Sequence, residues 1–211
     1  MSMRSKKELC RSWKLYVITS PGPGLVEKVR QAVLGGADVV QLRDKLATDD
    51  DLVQQARQLL QVTRPAGIPL IVNDRVQAAL SAGADGVHLG QDDGLLSEAR
   101  RILGEDAIYG RSTHSVAQGL AAQKEGFDYI GVGPVFATPT KAGRPAVGLE
   151  CVRAASSRFD VPFVAIGGID ERNIKEVVEA GAKAVAVVRA VMQSEDPRAT
   201  TKKIKEGFLT R

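Results

Sequence analysis

The sequence predicts a single-domain α/β fold, a (βα)8 barrel of the TIM type. Three observations predict it: an internal repeat, strand-length apolar runs, and helix signals between those runs. The repeat reads GGADVVQLR at 35–43, AGADGVHLG at 82–90, EGFDYIGVG at 125–133 and AGAKAVAVV at 180–188. Each copy has a glycine where a helix ends, a short polar link, and then an apolar run. Copies about 45 residues apart hold two βα units of about 22 residues each, which fits a repeating βα protein rather than a helical solenoid. Counting the strands between copies gives eight. A doubly wound open sheet is the alternative, and eight near-equal units favour closure.

In chain order the strands are expected at 15–19, 39–43, 70–73, 86–89, 108–111, 129–133, 163–166 and 184–188. Most are continuous apolar runs, as parallel strands covered on both faces require. The helix beginning near Thr48 has Thr48 and Asp51 in an N-cap arrangement and Leu52, Val53, Ala56, Leu59 and Leu60 on one face. Between the third and fourth strands, Val76, Ala79 and Leu80 lie at helical spacing and Gly83 supplies the stop. The seventh helix is expected to run from Asp170 to Gly181, and the last has Asp196 as cap with Pro197 at its first position. Residues 1–13 are expected to form an amino-terminal extension to a catalytic barrel spanning 14–211.

Composition narrows the function. Apolar residues at 44% and charged residues at 26% are ordinary for a globular domain, and no apolar run approaches the ~20 residues of a membrane span. Basic residues near the amino terminus are followed by neither an apolar run nor a small-residue cleavage site, so a cytoplasmic address is expected. Cys10 and Cys151 are far apart without close-spaced partners, which argues against a disulfide framework or a zinc site. The chain carries 29 basic and 25 acidic side chains, a net charge of +4. Aromatics at 4% leave few platforms for stacked bases, so anionic small molecules explain that excess better than nucleic acid.

A closed barrel gathers its chemistry at the carboxyl-terminal mouth, so strand ends are the places to read. Asp74 follows the third strand and Asp93 lies just beyond the fourth. Two acids at one sheet edge suggest a divalent metal, and hard carboxylate oxygens suit Mg2+. Taken alone, Asp74 is best explained as a helix cap. After strand two, Arg43 can grip two phosphate oxygens through its planar fork and Lys45 adds a point charge, a rim ion pair with Asp44 being the other reading. After strand five, Ser112 stands where a helix amino terminus favours anions, with Ser115 as the cap. The loop after strand six carries Thr138, Thr140 and Lys141 between prolines, an anion clamp and candidate lid. Gly167 and Gly168 after strand seven let backbone N–H groups approach a phosphate. His88, within a strand, reads as a satisfied interior histidine, whereas His114 on the rim keeps an acid or base role open.

Together QLRDK at 41–45, VND at 72–74, GVHLGQDD at 86–93, GRSTHS at 110–115, VGPVFATPTK at 132–141 and AIGGI at 165–169 resemble the thiamin phosphate synthase family, in order over nearly the whole barrel. The resemblance implies a Mg2+-assisted transferase that joins a hydroxymethylpyrimidine diphosphate to a thiazole phosphate, or its carboxylated form, and releases pyrophosphate. It implies Asp74 and Asp93 as Mg2+ ligands, with the sequence leaving open which of the consecutive acids Asp92 and Asp93 faces the metal. It implies Gln41, Arg43, Lys45, Asn73, Ser112 and Lys141 as pyrimidine diphosphate contacts, with Arg43, Lys45, Ser112 and Lys141 acting on the leaving group. For the thiazole phosphate it implies Thr138, Thr140 and the backbone of Gly167 or Gly168, together with Val188 and Arg189 after strand eight. Arg189 departs from the small hydroxyl residue that the family usually has there. The expected partners are these small molecules, with neither nucleic acid nor membrane, and with homo-oligomerisation left open. Two rivals are a thiazole tautomerase of the same superfamily, using His114, and a noncatalytic phosphate-ligand binding barrel.

Overall fold

The computed structural model describes residues 6–138 and 145–209. A short helix α1 (Lys6–Ser12) leads into β1 (Leu15–Ile18), α2 (Leu25–Leu34), β2 (Val39–Leu42) and α3 (Asp49–Thr63). Next come β3 (Leu70–Asn73), α4 (Val76–Ala82), β4 (Gly86–Leu89), α5 (Leu96–Leu103), β5 (Ile108–Thr113) and α6 (Val116–Glu125). The chain continues with β6 (Tyr129–Val132), α7 (Gly148–Arg158), β7 (Phe163–Ile166), α8 (Ile174–Glu179), β8 (Val185–Val187), α9 (Arg189–Met192) and α10 (Pro197–Glu206). The eight strands form one closed barrel in sequence order. Every neighbouring pair is parallel, including β1 with β8. No helix among the described residues is long and apolar enough to cross a membrane.

The repeat now has a physical meaning. In its first three copies the link aspartate sits at the barrel floor and closes a two-way clamp on the start of the preceding odd-numbered strand. Asp38 N–H donates to the Leu15 carbonyl at 2.9 Å, and Asp38 Oδ2 accepts from Leu15 N–H at 2.9 Å. Asp85 does the same to Leu70, and Asp128 to Tyr109. Strand starts lack a ladder partner on that side, so a carboxylate there satisfies a donor that burial would otherwise orphan. The helix-ending glycines hold as well: Gly83 and Gly126 cap α4 and α6 in the left-handed conformation, at φ 71° and 97°.

Two cores result from strands buried on both faces. Outward-facing strand residues such as Val17, Val87, Ile130 and Val185 pack under the helices, and Val40, Leu42, Leu70 and Val72 do so beneath α3. Inside the barrel, Tyr16, Val39, Ile71, Ile108, Tyr129, Val164 and Ala186 form a separate cluster with Cys10 and Trp13. Trp13 lies edge-on to Tyr129 and Tyr16, at 5.1 and 5.7 Å between ring centroids, and plugs the floor.

Thr48, Ser115 and Asp196 cap their helices through side-chain oxygens as expected. The seventh helix is a correction. It runs only over Ile174–Glu179, because Asp170 Oδ1 accepts from Arg172 N–H and Asn173 Oδ1 accepts from Asp170 N–H. These local bonds hold residues 170–173 in a turn instead of a first helical turn. Leu80 is also half exposed, so the buried face of α4 is carried by Ala78, Ala79 and Ala82.

Candidate functional site

Strand register decides which side chains meet inside the mouth. Asn73 aligns with His88, His88 with Gly110, and Gly110 with Tyr129. Side chains on parallel strands at one level point the same way, so all of these face the barrel axis. Two adjoining depressions open above them. The larger, a cavity of about 410 Å³, is lined by Gln41, Arg43, Asn73, His88 and Ser112 on one side. Its other side is formed by His114, Thr138, Gly167, Gly168, Arg172, Val188 and Arg189. The smaller is a notch bounded by Asp44, Lys45, Asn73, Asp74, Arg75 and Asp93. Asn73 belongs to both.

The notch is an acid pair with a lysine. Asp74 has φ 62°, the one non-glycine residue with positive φ among the described residues. Aspartate tolerates this left-handed backbone better than most side chains, and strain of this kind gathers at functional sites. Asp74 is therefore not the helix cap: Arg75 occupies that position, and its guanidinium pairs with Asp49 at 2.6 Å. Lys45 Nζ stands 3.3 Å from Asp74 Oδ2. Burial, and then the neighbouring Asp93 carboxyl, push the Asp74 pKa up. Burial works the same way on Asp93. There it is outweighed by hydrogen bonds from Asp74 and the Gly90 N–H, with Lys45 and Arg111 nearby, which hold Asp93 below the usual carboxylate range.

Local chain chemistry aims Asp93. In the turn at 90–94 its Oδ2 accepts from Gly90 N–H at 2.8 Å, which folds the carboxylate back toward the barrel while Asp92 stays exposed. Arg111 ties the same loop down, donating to the Gly94 and Gln91 carbonyls at 3.1 and 3.2 Å. Asp44 is used in its own loop, accepting from the Leu46 and Ala47 N–H groups.

The donor set fits a hard divalent cation. No group of three or more His, Cys, Asp or Glu side chains that could hold a metal occurs among the described residues. Mg2+ does not need one, since it keeps several waters and takes one or two carboxylates plus substrate phosphate. Two carboxylates forced together, one of them at a raised pKa, gain from a cation between them.

Of the sequence-derived site residues, Gln41, Arg43, Asn73, Ser112, Thr138, Gly167, Gly168, Val188 and Arg189 line the cavity. Lys45, Asp74 and Asp93 line the notch. Thr140 and Lys141 lie outside the described residues. Gly167 and Gly168 both have positive φ, 106° and 66°, and a methyl group on Gly167 would meet Pro134. Glycine is the residue that can form this wall. Sequence reading missed His88 and Arg172 as lining residues. His88 is the satisfied interior histidine expected of it, bonded at both ring nitrogens. It also borders the cavity. The signal was the parity of GVHLG: once Asn73 is inward, its register partner His88 must be too.

Comparison with known proteins shows what the whole chain is similar to. A family model described as thiamine monophosphate synthase matches residues 15–191. The thiamine-phosphate synthase of Thermosynechococcus vestitus is 50% identical over 191 residues, which cover 90% of this chain and 54% of that protein. That of Shouchella clausii is 43% identical over 196 residues, covering 90% of this chain and 94% of that protein. The chain thus spans about half the length of the first of these relatives and nearly all of the second. A solved structure of thiamine phosphate pyrophosphorylase from Pyrococcus furiosus matches with a TM-score of 0.87 at 38% identity, over 95% of this chain and 98% of that one.

Proposed function

This chain belongs to the thiamine monophosphate synthase family, and we propose that it condenses a hydroxymethylpyrimidine diphosphate with a thiazole phosphate to give thiamin phosphate and pyrophosphate, the carboxylated form of the thiazole losing its carboxyl group as CO2 as well. The observation that carries this reading is the adjoining pair of sites: an acid and lysine notch beside a cavity walled by Arg43, Ser112 and a glycine pair, with Asn73 common to both. A reaction that expels a diphosphate while holding a second phosphorylated substrate needs two such anion sites at one mouth.

The electron flow is simple. The bond from the pyrimidine methylene to the diphosphate oxygen breaks, and its electron pair leaves with pyrophosphate. The aminopyrimidine ring supports the positive charge left on carbon. The thiazole nitrogen lone pair then forms the new C–N bond. No proton must be taken from the attacking atom, so no side-chain base or nucleophile is needed, and the protein works by orientation and charge. Asp74 and Asp93 would hold Mg2+, which supplies neutralisation for the departing diphosphate. Lys45, already beside Asp74, adds a second positive charge, and Arg43 and Ser112 donate to the same group. Lys141 joins this set. Gln41 and Asn73 orient the pyrimidine, while Thr138, Thr140, the Gly167 and Gly168 backbone, Val188 and Arg189 receive the thiazole phosphate. We assign the reaction to the cytoplasm, where phosphorylated substrates of this kind are retained.

Incubating the purified protein with both substrates and Mg2+ tests the reading. Pyrophosphate release that requires both substrates is expected. Conversion of the thiazole alone without pyrophosphate would instead point to a tautomerase, and binding without turnover to a noncatalytic barrel.

A further inference from the structure

Beneath the cavity, a row of buried polar side chains crosses the barrel interior. Gln41 Nε2 donates to Tyr16 Oη at 2.8 Å, Tyr16 Oη lies 2.8 Å from Tyr129 Oη, and Tyr129 Oη lies 2.9 Å from His88 Nδ1. His88 Nε2 is 2.8 Å from Ser112 Oγ, and Ser112 lines the cavity. We infer that His88 and Tyr129 are positioning residues: a one-way hydrogen-bond chain holds His88 as its Nε2–H tautomer and directs the Ser112 hydroxyl proton to an anionic oxygen in the cavity.

The direction follows from counting protons. An amide N–H cannot accept, so Tyr16 Oη accepts from Gln41, and its single proton is left for Tyr129 Oη. Tyr129 then gives its own proton to His88 Nδ1. A neutral imidazole that accepts at Nδ1 carries its proton on Nε2, and that proton goes to Ser112 Oγ. Ser112 has one proton remaining to donate, and the cavity lies before it. Gln41, Tyr16, His88 and Tyr129 are all buried, so each broken link would leave a polar group unsatisfied. Burial also raises the pKa of both tyrosines, so both keep the protons the chain requires.

The backbone is shaped around this row. Gly110 stands mid-strand in β5, where glycine ordinarily weakens pairing. A methyl group there would overlap the Tyr129 ring and His88 Nδ1. Glycine at 110 therefore makes the space in which the tyrosine and the imidazole meet. The use of Ser112 as a diphosphate donor rests on the reaction proposed above; the tautomer does not.

Nitrogen-15 NMR of the histidine rings tests the chain without substrate. The protein has two histidines, and His88→Asn identifies the His88 signal by its loss. At neutral pH the His88 ring is expected to show a bare Nδ1 and a protonated Nε2. The opposite tautomer, or a doubly protonated ring, overturns the inference whatever the reaction. The second arm is a cycle of Tyr129→Phe, Ser112→Ala and the double variant, in pyrophosphate release. Tyr129→Phe keeps the ring packing and is expected to lower kcat about 10-fold with KM within about twofold, a loss confined to the transition state. The double variant should fall no further than Ser112→Ala. Losses that multiply would mark Tyr129 as a packing residue alone and overturn the inference. A wild-type protein that releases no pyrophosphate would reject the reaction and leave the tautomer result standing.

Discussion

The floor and the mouth of this barrel use the same side chain in opposite ways. At the floor, Asp38, Asp85 and Asp128 each accept from a strand-starting N–H, and Asp38 also pairs with Lys205 Nζ at 2.8 Å. Each acid there has donors waiting for it. At the mouth, Asp74 and Asp93 are held against one another, and Lys45 stands within ion-pair distance of Asp74. A satisfied acid stabilises the fold, whereas two acids that raise and lower one another's pKa keep a charge imbalance that a ligand can resolve. The difference teaches that the floor acids secure the strand starts, whereas the mouth acids carry the imbalance on which the proposed binding site rests, on the same eight strands.

Substitutions can break or sharpen that contrast. The largest effect is expected at the floor. Trp13→Ala removes the buried plug and should lower unfolding free energy by about 3–5 kcal/mol, as denaturant titration will show. Trp13→Phe should cost less than half of that, because among the described residues the indole N–H has no hydrogen-bond partner to lose. At the mouth, Asp74→Asn should cut Mg2+-dependent turnover on the order of 100-fold, about 2.7 kcal/mol in the barrier, while thermal unfolding changes little. Asparagine tolerates the left-handed backbone at this position, so the fold is spared. Unchanged turnover and unchanged Mg2+ dependence would remove Asp74 from the site.

Lys45→Met keeps the length of the side chain and removes its charge. A loss of about 10-fold in turnover is expected, smaller than at Asp74 because the ammonium is more than half exposed and partly screened. The smallest effect belongs to a position in neither region. Thr48→Ala deletes the α3 cap and should cost about 1 kcal/mol of stability with activity intact. A fall in turnover there would show that α3 and the β2 loop are coupled to the notch.

Much of this was legible in the chain because its signals are local. A run such as Leu70–Val72 declares a doubly buried strand by its composition, and Thr48, Ser115 and Asp196 declare helix starts because a cap bonds to residues only three positions away. The fourfold repeat carried the strand count, and a closed barrel then placed Gln41, Arg43, Asn73, Asp74, Ser112 and Asp93 at one end. Local reading failed at Asp170, where two short side chains compete for the same backbone donors and make a turn instead of a helix start.

Tertiary structure alone decided which of these residues touch. That Asp93 rather than Asp92 meets Asp74, and that Asp74 heads no helix, depends on one turn folded back by Gly90 and on one left-handed residue. That His88 reaches Ser112 through one nitrogen and Tyr129 through the other depends on the register between β4, β5 and β6. Register pairs residues far apart in the chain, and a shift of one position would turn each side chain to the opposite face. Composition and spacing determined the barrel and the end at which its proposed site lies. The contacts that set charge and proton direction were decided by how its strands align.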